Sequence, residues 1–265
     1  MPSRERLLIV GDVGTGKTKA LFALAHKALD AGKKVFLFVY DDGHQRFMGK
    51  DWVIKYVTEN KFFVNSVVTW PDARKAYREA KLLWEPGDWV MADRLDLMWD
   101  EIQAYFKAQT LNIDRDDLPD YNLRVTLADE SDVQIKDTDW DVQKSAIRSL
   151  IFDPNAGPDA VRMGINVAMT SWAVPGITAR MVNKGGSKVE EESSKNDPRK
   201  LRELNTTVQG EKHVPGWFDT VLVFKIVPRG YVMSSYKDRE RKLISEVLIG
   251  DDFADTYQSE VGVRF

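Results

Sequence analysis

The sequence predicts an α/β fold: a single domain, residues 1–265, with a mostly parallel central sheet flanked by helices. Residues 7–10 are a short run of uniformly apolar side chains, and residues 34–40 (KVFLFVY) are apolar after the first, as expected for strands buried on both faces of a sheet. Between them, residues 17–31 carry apolar side chains along one helical face and stop before Gly32. A strand–helix–strand unit of this kind favours a right-handed parallel crossover.

The middle of the chain continues the same alternation. Residues 62–68 are apolar enough for another strand, and Pro71 is suited to open a helix that runs to about residue 84. Pro86-Gly87 breaks this helix. Residues 88–93 then form a core strand that ends in a carboxylate, and a helix follows from about 95 to 108.

The last part of the chain predicts a C-terminal β-hairpin. A helix at 140–152 and a strand at 164–170 come first. Residues 220–227 and 231–236 are then two β-prone segments on either side of a Pro-Arg-Gly turn. We expect this hairpin to be antiparallel and to lie at the far side of the sheet.

Two segments do not fit the core pattern. Residues 111–138 contain 8 acidic and 3 basic side chains without a clear period, which predicts an acidic surface excursion. Residues 180–213 contain 8 basic and 6 acidic side chains together with a Gly-Gly pair, which predicts a long mobile loop. Long loops without a core pattern are functional or disordered.

Composition excludes several classes of site. The absence of Cys excludes disulfides, thiolate zinc sites and a Cys nucleophile, and three scattered His argue against a His-based metal cage. No apolar run approaches the roughly 20 residues that span a bilayer, and the first one is too short for a signal peptide. We therefore expect a cytoplasmic protein with no membrane partner. The net charge of −3 means that any nucleic-acid binding needs a local basic patch.

One motif carries specific chemistry. The pattern G-x-x-x-x-G-K-[ST] is matched at every fixed position by Gly11, Asp12, Val13, Gly14, Thr15, Gly16, Lys17 and Thr18. Its glycines let backbone N–H groups approach phosphate oxygens, and the following helix adds the positive end of its dipole. Lys17 would contact the β- and γ-phosphates, and the Thr18 hydroxyl would bind Mg²⁺. With the right flanks, the motif predicts a nucleoside triphosphate site; the alternative is a Gly-rich turn that matches by chance.

Three carboxylates at strand ends could complete this site. Asp93 could hold Mg²⁺ opposite Thr18, usually through water, or it could be the N-cap of the helix that starts near Leu95. Asp41 and Asp42 close the second strand, and one of them could polarise the water that attacks the γ-phosphate. The alternative for that pair is an Asp-Gly turn.

Hydroxyl and basic side chains offer two further candidates. Thr170 and Ser171 end a predicted strand and could sense the γ-phosphate, or they could bond to their own backbone. Residues 237–242 place four cations in six positions, which could stabilise charge on a transferring phosphate or form a solvated hairpin end.

Taken together, the motifs resemble the RecA-like ATPases, and among them the small phage-encoded ones associated with recombination and single-strand annealing. The similar features are GDVGTGKT, the strand ending in Asp41-Asp42-Gly43, WVMAD, INVAMTS, and, after a long loop, DTVLVF and YVMSSYKDRERK. Their order and spacing cover roughly residues 5–242. The resemblance implies a RecA-like core that binds ATP with Mg²⁺ and assembles into a homo-oligomeric ring or filament, in the host cytoplasm if it is phage-encoded.

The resemblance also implies roles for individual residues. Asp42, with Asp41 as the near alternative, falls at the acidic catalytic position, and Asp93 falls at the Walker B carboxylate. Ser171 or Thr170 falls at the polar sensor.

The remaining catalytic candidates are basic. Lys237 and Arg239 resemble the basic residues that reach into a neighbouring subunit's nucleotide.

The segment 176–215 falls where RecA relatives carry a mobile DNA-contacting loop, so the resemblance implies single-stranded DNA as a partner. Trp172 and Trp217 flank it and could stack on bases; alternatively, both are core residues and the charges keep the segment soluble. Its cations are Arg180, Lys184, Lys188, Lys195, Arg199, Lys200, Arg202 and Lys212.

The predicted function is ATP hydrolysis, stimulated by DNA, in phage-type recombination or replication. Three alternatives remain open. A nucleoside or nucleotide kinase has the same motif as residues 11–18, which are called the phosphate loop below. Asp93-Arg94 resembles the Asp-Arg pair near the phosphoryl acceptor of such kinases. The others are a DNA packaging-type motor and a nucleotide-gated binding module that hydrolyses slowly.

Overall fold

A computed structural model describes residues 5–119, 121–122, 137–151, 164–175, 179–184, 187–192, 200–201, 206–209, 214–238, 244–250 and 252–261. The strands are β1 (Arg6–Gly11), β2 (Val35–Val39), β3 (Phe62–Ser66), β4 (Trp89–Asp93), β5 (Asn166–Pro175), β6 (Ala179–Lys184), β7 (Ser187–Glu192), β8 (Lys200–Leu201), β9 (Thr206–Val208), β10 (Thr220–Val227), β11 (Gly230–Asp238) and β12 (Val247–Leu248). The helices are α1 (Lys17–Asp30), α2 (Gln45–Met48), α3 (Asp51–Thr58), α4 (Trp70–Lys81), α5 (Leu95–Leu111), α6 (Asp137–Ile151), α7 (Val214–Trp217) and α8 (Phe253–Val261).

The central sheet has the order β12-β11-β10-β1-β5-β4-β2-β3. The strands from β10 to β3 are parallel, and β11 and β12 add two antiparallel strands at one edge. The predicted α/β fold with a mostly parallel sheet and a C-terminal hairpin is therefore confirmed. In this order β5 separates β1, which precedes the phosphate loop, from β4, which ends in Asp93.

Helices cover both faces of this sheet, which explains its uniformly apolar strands. In β1, Leu8 and Val10 join an apolar cluster with α4, α5 and α6. Leu7 and Ile9 face the other way and join a cluster with α1, α3 and α8. All four side chains are fully buried, as is expected when parallel strands have helices on both faces.

Several elements differ from the predicted ones. Helix α4 begins at Trp70 because Thr69 is its N-cap, with its hydroxyl accepting a hydrogen bond from the Asp72 backbone N–H. Helices α3 and α8 are not predicted by the sequence patterns at all. The predicted acidic excursion, 111–138, falls mostly outside the described residues.

The segment predicted as a mobile loop contains paired strands in its described residues. Strands β6 and β7 form an antiparallel pair, and β9 pairs with both β8 and the end of β5. Within the β5–β9 pair, Ala173 lies opposite Val208, and the Gln209 N–H donates to the Trp172 carbonyl at 2.9 Å. Gln209, near the end of the segment, therefore bonds to Trp172, which lies in β5 before the segment begins. Among the described residues, no helix is both long and apolar enough to cross a membrane.

Candidate functional site

The phosphate loop connects β1 to α1 in a conformation that needs its glycines. Gly14 and Gly16 have φ angles of 78° and 89°, in the left-handed region that side chains disfavour. Gly11 meets a different constraint, because a Cβ atom there would lie 2.9 Å from the Phe224 carbonyl oxygen. The loop therefore keeps close to its neighbouring strand and turns into the N-terminus of α1.

Lys17 lies inside this loop. Its Nζ donates hydrogen bonds of 2.8 Å to the carbonyl oxygens of Gly11 and Asp12. Burial lowers the pKa of Lys17 to about 8, and the negative charge of Asp93 partly opposes that shift. The result is a buried cation whose hydrogen bonds go to backbone carbonyls, which a phosphate could replace with a stronger, charge-assisted bond.

Asp93 joins the phosphate loop to the neighbouring strand. Its Oδ2 accepts a hydrogen bond from the Thr18 hydroxyl at 2.7 Å, and its Oδ1 accepts one from the Thr170 hydroxyl at 2.5 Å. The Thr170 oxygen also accepts a bond from the Arg94 backbone N–H at 2.9 Å. Asp93 does not cap α5, because Arg94 is at the N-cap position and no side chain provides a capping bond.

These donors fit a magnesium ion. Asp93 is fully buried, and burial raises its pKa, which records how poorly the carboxylate charge is solvated. Mg²⁺ prefers oxygen ligands and uses one or two carboxylates together with substrate phosphates and waters. The described residues contain no group of three or more acidic or His side chains that could hold a metal alone. Thr18 and Asp93 would therefore hold the ion together with phosphate oxygens, and the ion would neutralise phosphate charge.

The two neighbouring carboxylates, Asp41 and Asp42, lie in different surroundings. Asp41 lines the cavity beside the phosphate loop, and its Oδ1 accepts a bond from the Gly43 N–H at 2.9 Å, as in an Asp-Gly turn. Its Oδ2 accepts a bond of 3.2 Å from Nη1 of Arg94. Asp42 is exposed and is not among the residues that line the cavity.

Arg94 is the least expected residue of the site. It has a φ angle of 72°, and its side chain is almost completely buried. Besides Asp41, it binds the fully buried carboxylate of Asp96, with an Nη2–Oδ2 distance of 2.7 Å. Its guanidinium carbon lies 3.6 Å from the ring centroid of Trp172, which is a cation–π contact.

Thr170 and Trp172 belong to the site, whereas Ser171 and Trp217 belong to the structure around it. The Ser171 hydroxyl donates to the Gln209 carbonyl at 3.1 Å, so it bonds to backbone, whereas Thr170 contacts Asp93. Trp172 lines the cavity, and Trp217 packs against the core cluster that contains Leu8.

Of the two predicted basic residues, Lys237 lies near the end of β11. In the ladder, Lys237 pairs with Val221, which pairs with Leu8, whereas Gly11 at the phosphate-loop end pairs with Phe224. Lys237 is therefore three ladder positions away from the phosphate-loop end of the sheet. The predicted role, contact with the nucleotide of a neighbouring subunit, stays a prediction. Arg239 lies outside the described residues.

A cavity of about 500 Å³ adjoins the phosphate loop. Its lining includes Arg94 and Trp172, which the sequence analysis considered in other roles, and also residues that it did not single out as site residues, namely Arg46, Phe47, Phe224, Tyr231, Ile249, Gly250 and Phe253. Arg46 follows the Asp41-Asp42-Gly43 turn closely, and that proximity is the one signal that could have found it. Tyr231 begins the hairpin strand that the resemblance quotes, whereas Ile249, Gly250 and Phe253 belong to no motif.

Comparison with known proteins adds no assignment. No protein-family model matches the chain, and no curated protein matches it in sequence.

Proposed function

We propose that this chain is a RecA-like P-loop ATPase that binds Mg²⁺-ATP at residues 11–18 and acts on single-stranded DNA in phage-type recombination or replication. The observation that carries the proposal is the chain of hydrogen bonds from Thr18 through Asp93 to Thr170. It joins the motif's hydroxyl to a buried carboxylate from another strand, which is the pairing a nucleotide-bound magnesium ion needs.

The strand order supports the RecA-like interpretation. The resemblance expects a polar residue at the end of the strand that follows the Asp93 strand in the chain. That strand is β5, which continues to Pro175, so Thr170 lies in its middle and not at its end. It is level with the end of β4, because Ala92 pairs with Met169, and its hydroxyl therefore reaches Asp93. The Thr170 hydroxyl is fully buried and bonds to Asp93, so we expect it to act on the nucleotide through this carboxylate.

Asp41 is the better of the two catalytic candidates. It lines the cavity, and Arg94 orients one of its oxygens, whereas Asp42 is exposed. A carboxylate that orients or deprotonates the attacking water must lie within hydrogen-bond reach of it. We assign this role to Asp41.

The contacts of Arg94 weigh against a nucleoside kinase. In that alternative, the Asp93-Arg94 pair would need a guanidinium that is available to the phosphoryl acceptor. Here the guanidinium binds Asp96 and Asp41 and stacks on Trp172. DNA as a partner rests on the cations of the 176–215 segment and on the resemblance, because Trp172 and Trp217 are both engaged within the fold.

The test is phosphate release from ATP, measured with and without single-stranded DNA. We expect turnover that increases with DNA and is lost in Lys17→Ala. Lys33→Ala is the matched control, because Lys33 lies just beyond the other end of α1 and should leave turnover unchanged.

Other outcomes point to the alternatives. Turnover that requires an added nucleoside or nucleotide would replace the proposal with a kinase. Tight ATP binding without either response would indicate a nucleotide-gated binding module.

A further inference from the structure

We infer that the C-terminal part of the chain forms the nucleobase subsite, and that it holds the base by its faces with little choice between adenine and guanine. This inference rests on the proposed function, because it takes the phosphates of the nucleotide to lie on the phosphate loop. Its residues are Tyr231, Ile249 and Phe253, with Val13 of the loop itself.

The direction of the nucleotide follows from the order of the strands. Asp93 and Asp41 come from β4 and from the end of β2, which lie on one side of β1 in the sheet. The γ-phosphate must therefore point to that side. Strands β10, β11 and β12 lie on the other side of β1, so the base and sugar extend towards them.

The cavity continues in that direction. Phe224, Tyr231, Ile249 and Phe253 line the same cavity as the phosphate loop. The side chain of Tyr231 is 47% exposed, and that of Val13, at the tip of the loop, is 67% exposed. The Tyr231 ring and the Val13 side chain are thus exposed beside the proposed phosphate site, and a flat aromatic base would cover them.

Aromatic rings on the γ-phosphate side are already engaged. The Arg94 guanidinium lies against the face of the Trp172 ring, and Phe47 stacks on Phe22 with ring centroids 4.4 Å apart. On the other side, Phe253 is also buried and stacks on Tyr257, whereas Tyr231 is exposed, so Tyr231 is the lining ring on which a base could stack. We call Tyr231, Ile249 and Phe253 together the C-terminal wall.

Hydrogen bonds hold the C-terminal strands and helix α8 against α1 and the rest of the sheet. Lys27 of α1 donates a 2.6 Å hydrogen bond to Asp255 of α8, and the Tyr257 hydroxyl donates one of 2.6 Å to Glu5. The Ile249 N–H donates to the Tyr231 carbonyl at 2.8 Å, which joins the last strand to β11. A preformed wall loses little conformational entropy when a ligand binds.

The chemistry of the wall predicts weak base selection. Among the described lining residues on this side, the Tyr231 hydroxyl is the one polar side-chain group. Strong discrimination between bases needs buried polar groups that are left unpaired by the wrong base. Apolar contact and stacking act on every base, because every base has a π-face.

The experiment compares nucleotides with a ligand that has phosphates and no base. Dissociation constants for ATP, GTP and tripolyphosphate are measured by calorimetry in the presence of Mg²⁺. For the wild type, we expect ATP and GTP to bind within about tenfold of each other. In the double variant Tyr231→Ala/Ile249→Ala, we expect both to weaken by about 5- to 100-fold, while tripolyphosphate stays unchanged within about twofold.

A matched control keeps the result interpretable. Ile226 pairs opposite Tyr231 in the hairpin and is 59% exposed, but it does not line the cavity. Ile226→Ala should therefore leave all three constants unchanged. Tyr231→Phe should bind ATP more tightly than Tyr231→Ala, since stacking needs the ring and not the hydroxyl.

The possible failures separate cleanly. Equal weakening of ATP and tripolyphosphate, no weakening of either nucleotide, or a strong preference for one base would overturn the inference while leaving the phosphate site intact. Two results would overturn the proposed function itself. One is that Lys17→Ala binds ATP and tripolyphosphate as tightly as the wild type does, and the other is that the wild type binds neither of them.

Discussion

Arg94 stacks its guanidinium on Trp172, with the guanidinium carbon 3.6 Å from the ring centroid, and the same side chain binds the cavity carboxylate Asp41. Asp96 completes this cluster, because it binds Arg94 and accepts a 3.3 Å hydrogen bond from the backbone N–H of Trp172. One buried cation therefore links the proposed catalytic carboxylate to the point where the 176–215 segment leaves the sheet.

The two adjacent carboxylates should differ in catalysis. Asp41→Asn should lower the turnover number for ATP by about 10²- to 10⁴-fold, the range found when a general base is removed. ATP affinity should stay within a few-fold, because Asp41 acts on water. Asp42→Asn is the matched control and should retain turnover, since Asp42 is exposed. The reverse ranking of the two variants in a phosphate-release assay would transfer the role to Asp42.

Replacing Arg94 should lower the stability of the fold. Arg94→Met leaves the fully buried Asp96 without its cation, and breaking a buried pair in this way costs about 3–5 kcal/mol in the free energy of unfolding. Urea denaturation measures this loss.

A second variant identifies the cause. Adding Asp96→Asn to Arg94→Met should recover a large part of the loss, because the uncompensated charge is removed while the amide oxygen can still accept from Trp172. If the double variant were as unstable as the sum of its parts, packing rather than charge would explain the effect.

Asp93 should show a conflict between stability and function. Because its pKa is raised in the folded protein, the folded state holds the proton more tightly than the unfolded chain. Stability from this group is present below the unfolded pKa and is lost as pH rises through the folded pKa. At neutral pH the buried charge is therefore unfavourable, so Asp93→Asn should raise the Tm of the nucleotide-free protein by roughly 2–4 °C for each kcal/mol recovered.

The same substitution should remove the gain in ATP affinity that Mg²⁺ provides. Asp96→Asn is a suitable contrast, because that carboxylate is paired with a cation and its neutralisation should lower the Tm. A lowered Tm in both variants would show that the Asp93 charge is stabilising after all.

ATP binding should weaken in mildly alkaline solution. The pKa of Lys17 falls from its ordinary value of 10.5 to about 8 through burial, so the free protein loses this charge above pH 8. The dissociation constant for ATP should rise by up to about tenfold between pH 7.5 and pH 9. Lys17→Ala should bind weakly and without this pH dependence. A wild-type constant that stays flat to pH 9 would mean that the charge is retained.

DNA affinity, if it comes from the 176–215 segment, should depend on salt. Each phosphate contact made by a cation contributes about −0.7 to the slope of log affinity against log salt for single strands. Lys184→Glu/Lys188→Glu should weaken binding to oligonucleotides of any sequence and make the slope shallower. Equal binding by this charge-reversed variant would place the DNA site elsewhere.

Strands buried on both faces could be predicted from the sequence because their apolar runs are uniform. This holds for β1, β2 and β4, and the glycine spacing of residues 11–18 fixes the phosphate loop. Helix α8 was missed because it is short and its apolar residues form no long periodic stripe. Its burial depends on contacts with α1, which is more than two hundred residues away in the chain.

The contacts of Arg94 could not be predicted for a related reason. They combine Asp41, Asp96 and Trp172, which come from three different elements, with a left-handed backbone conformation that an arginine rarely adopts. The sequence also leaves open which of Asp41 and Asp42 lines the cavity, because both follow the end of β2 and adjacent side chains there can point in different directions. Spacing alone does not say which one faces the cavity.

The pairing of β5 with β9 has a consequence for engineering. Pro175 lies opposite Thr206, so the two strands already have the spacing of a tight hairpin. A two-residue Asn-Gly turn between them would close the ladder, because that dipeptide favours the turn type that matches the strand twist. Such a variant would lack residues 176–205 but keep the β5–β9 ladder and residues 11–18, so it would show whether the proposed ATPase activity depends on the segment that the proposal assigns to DNA.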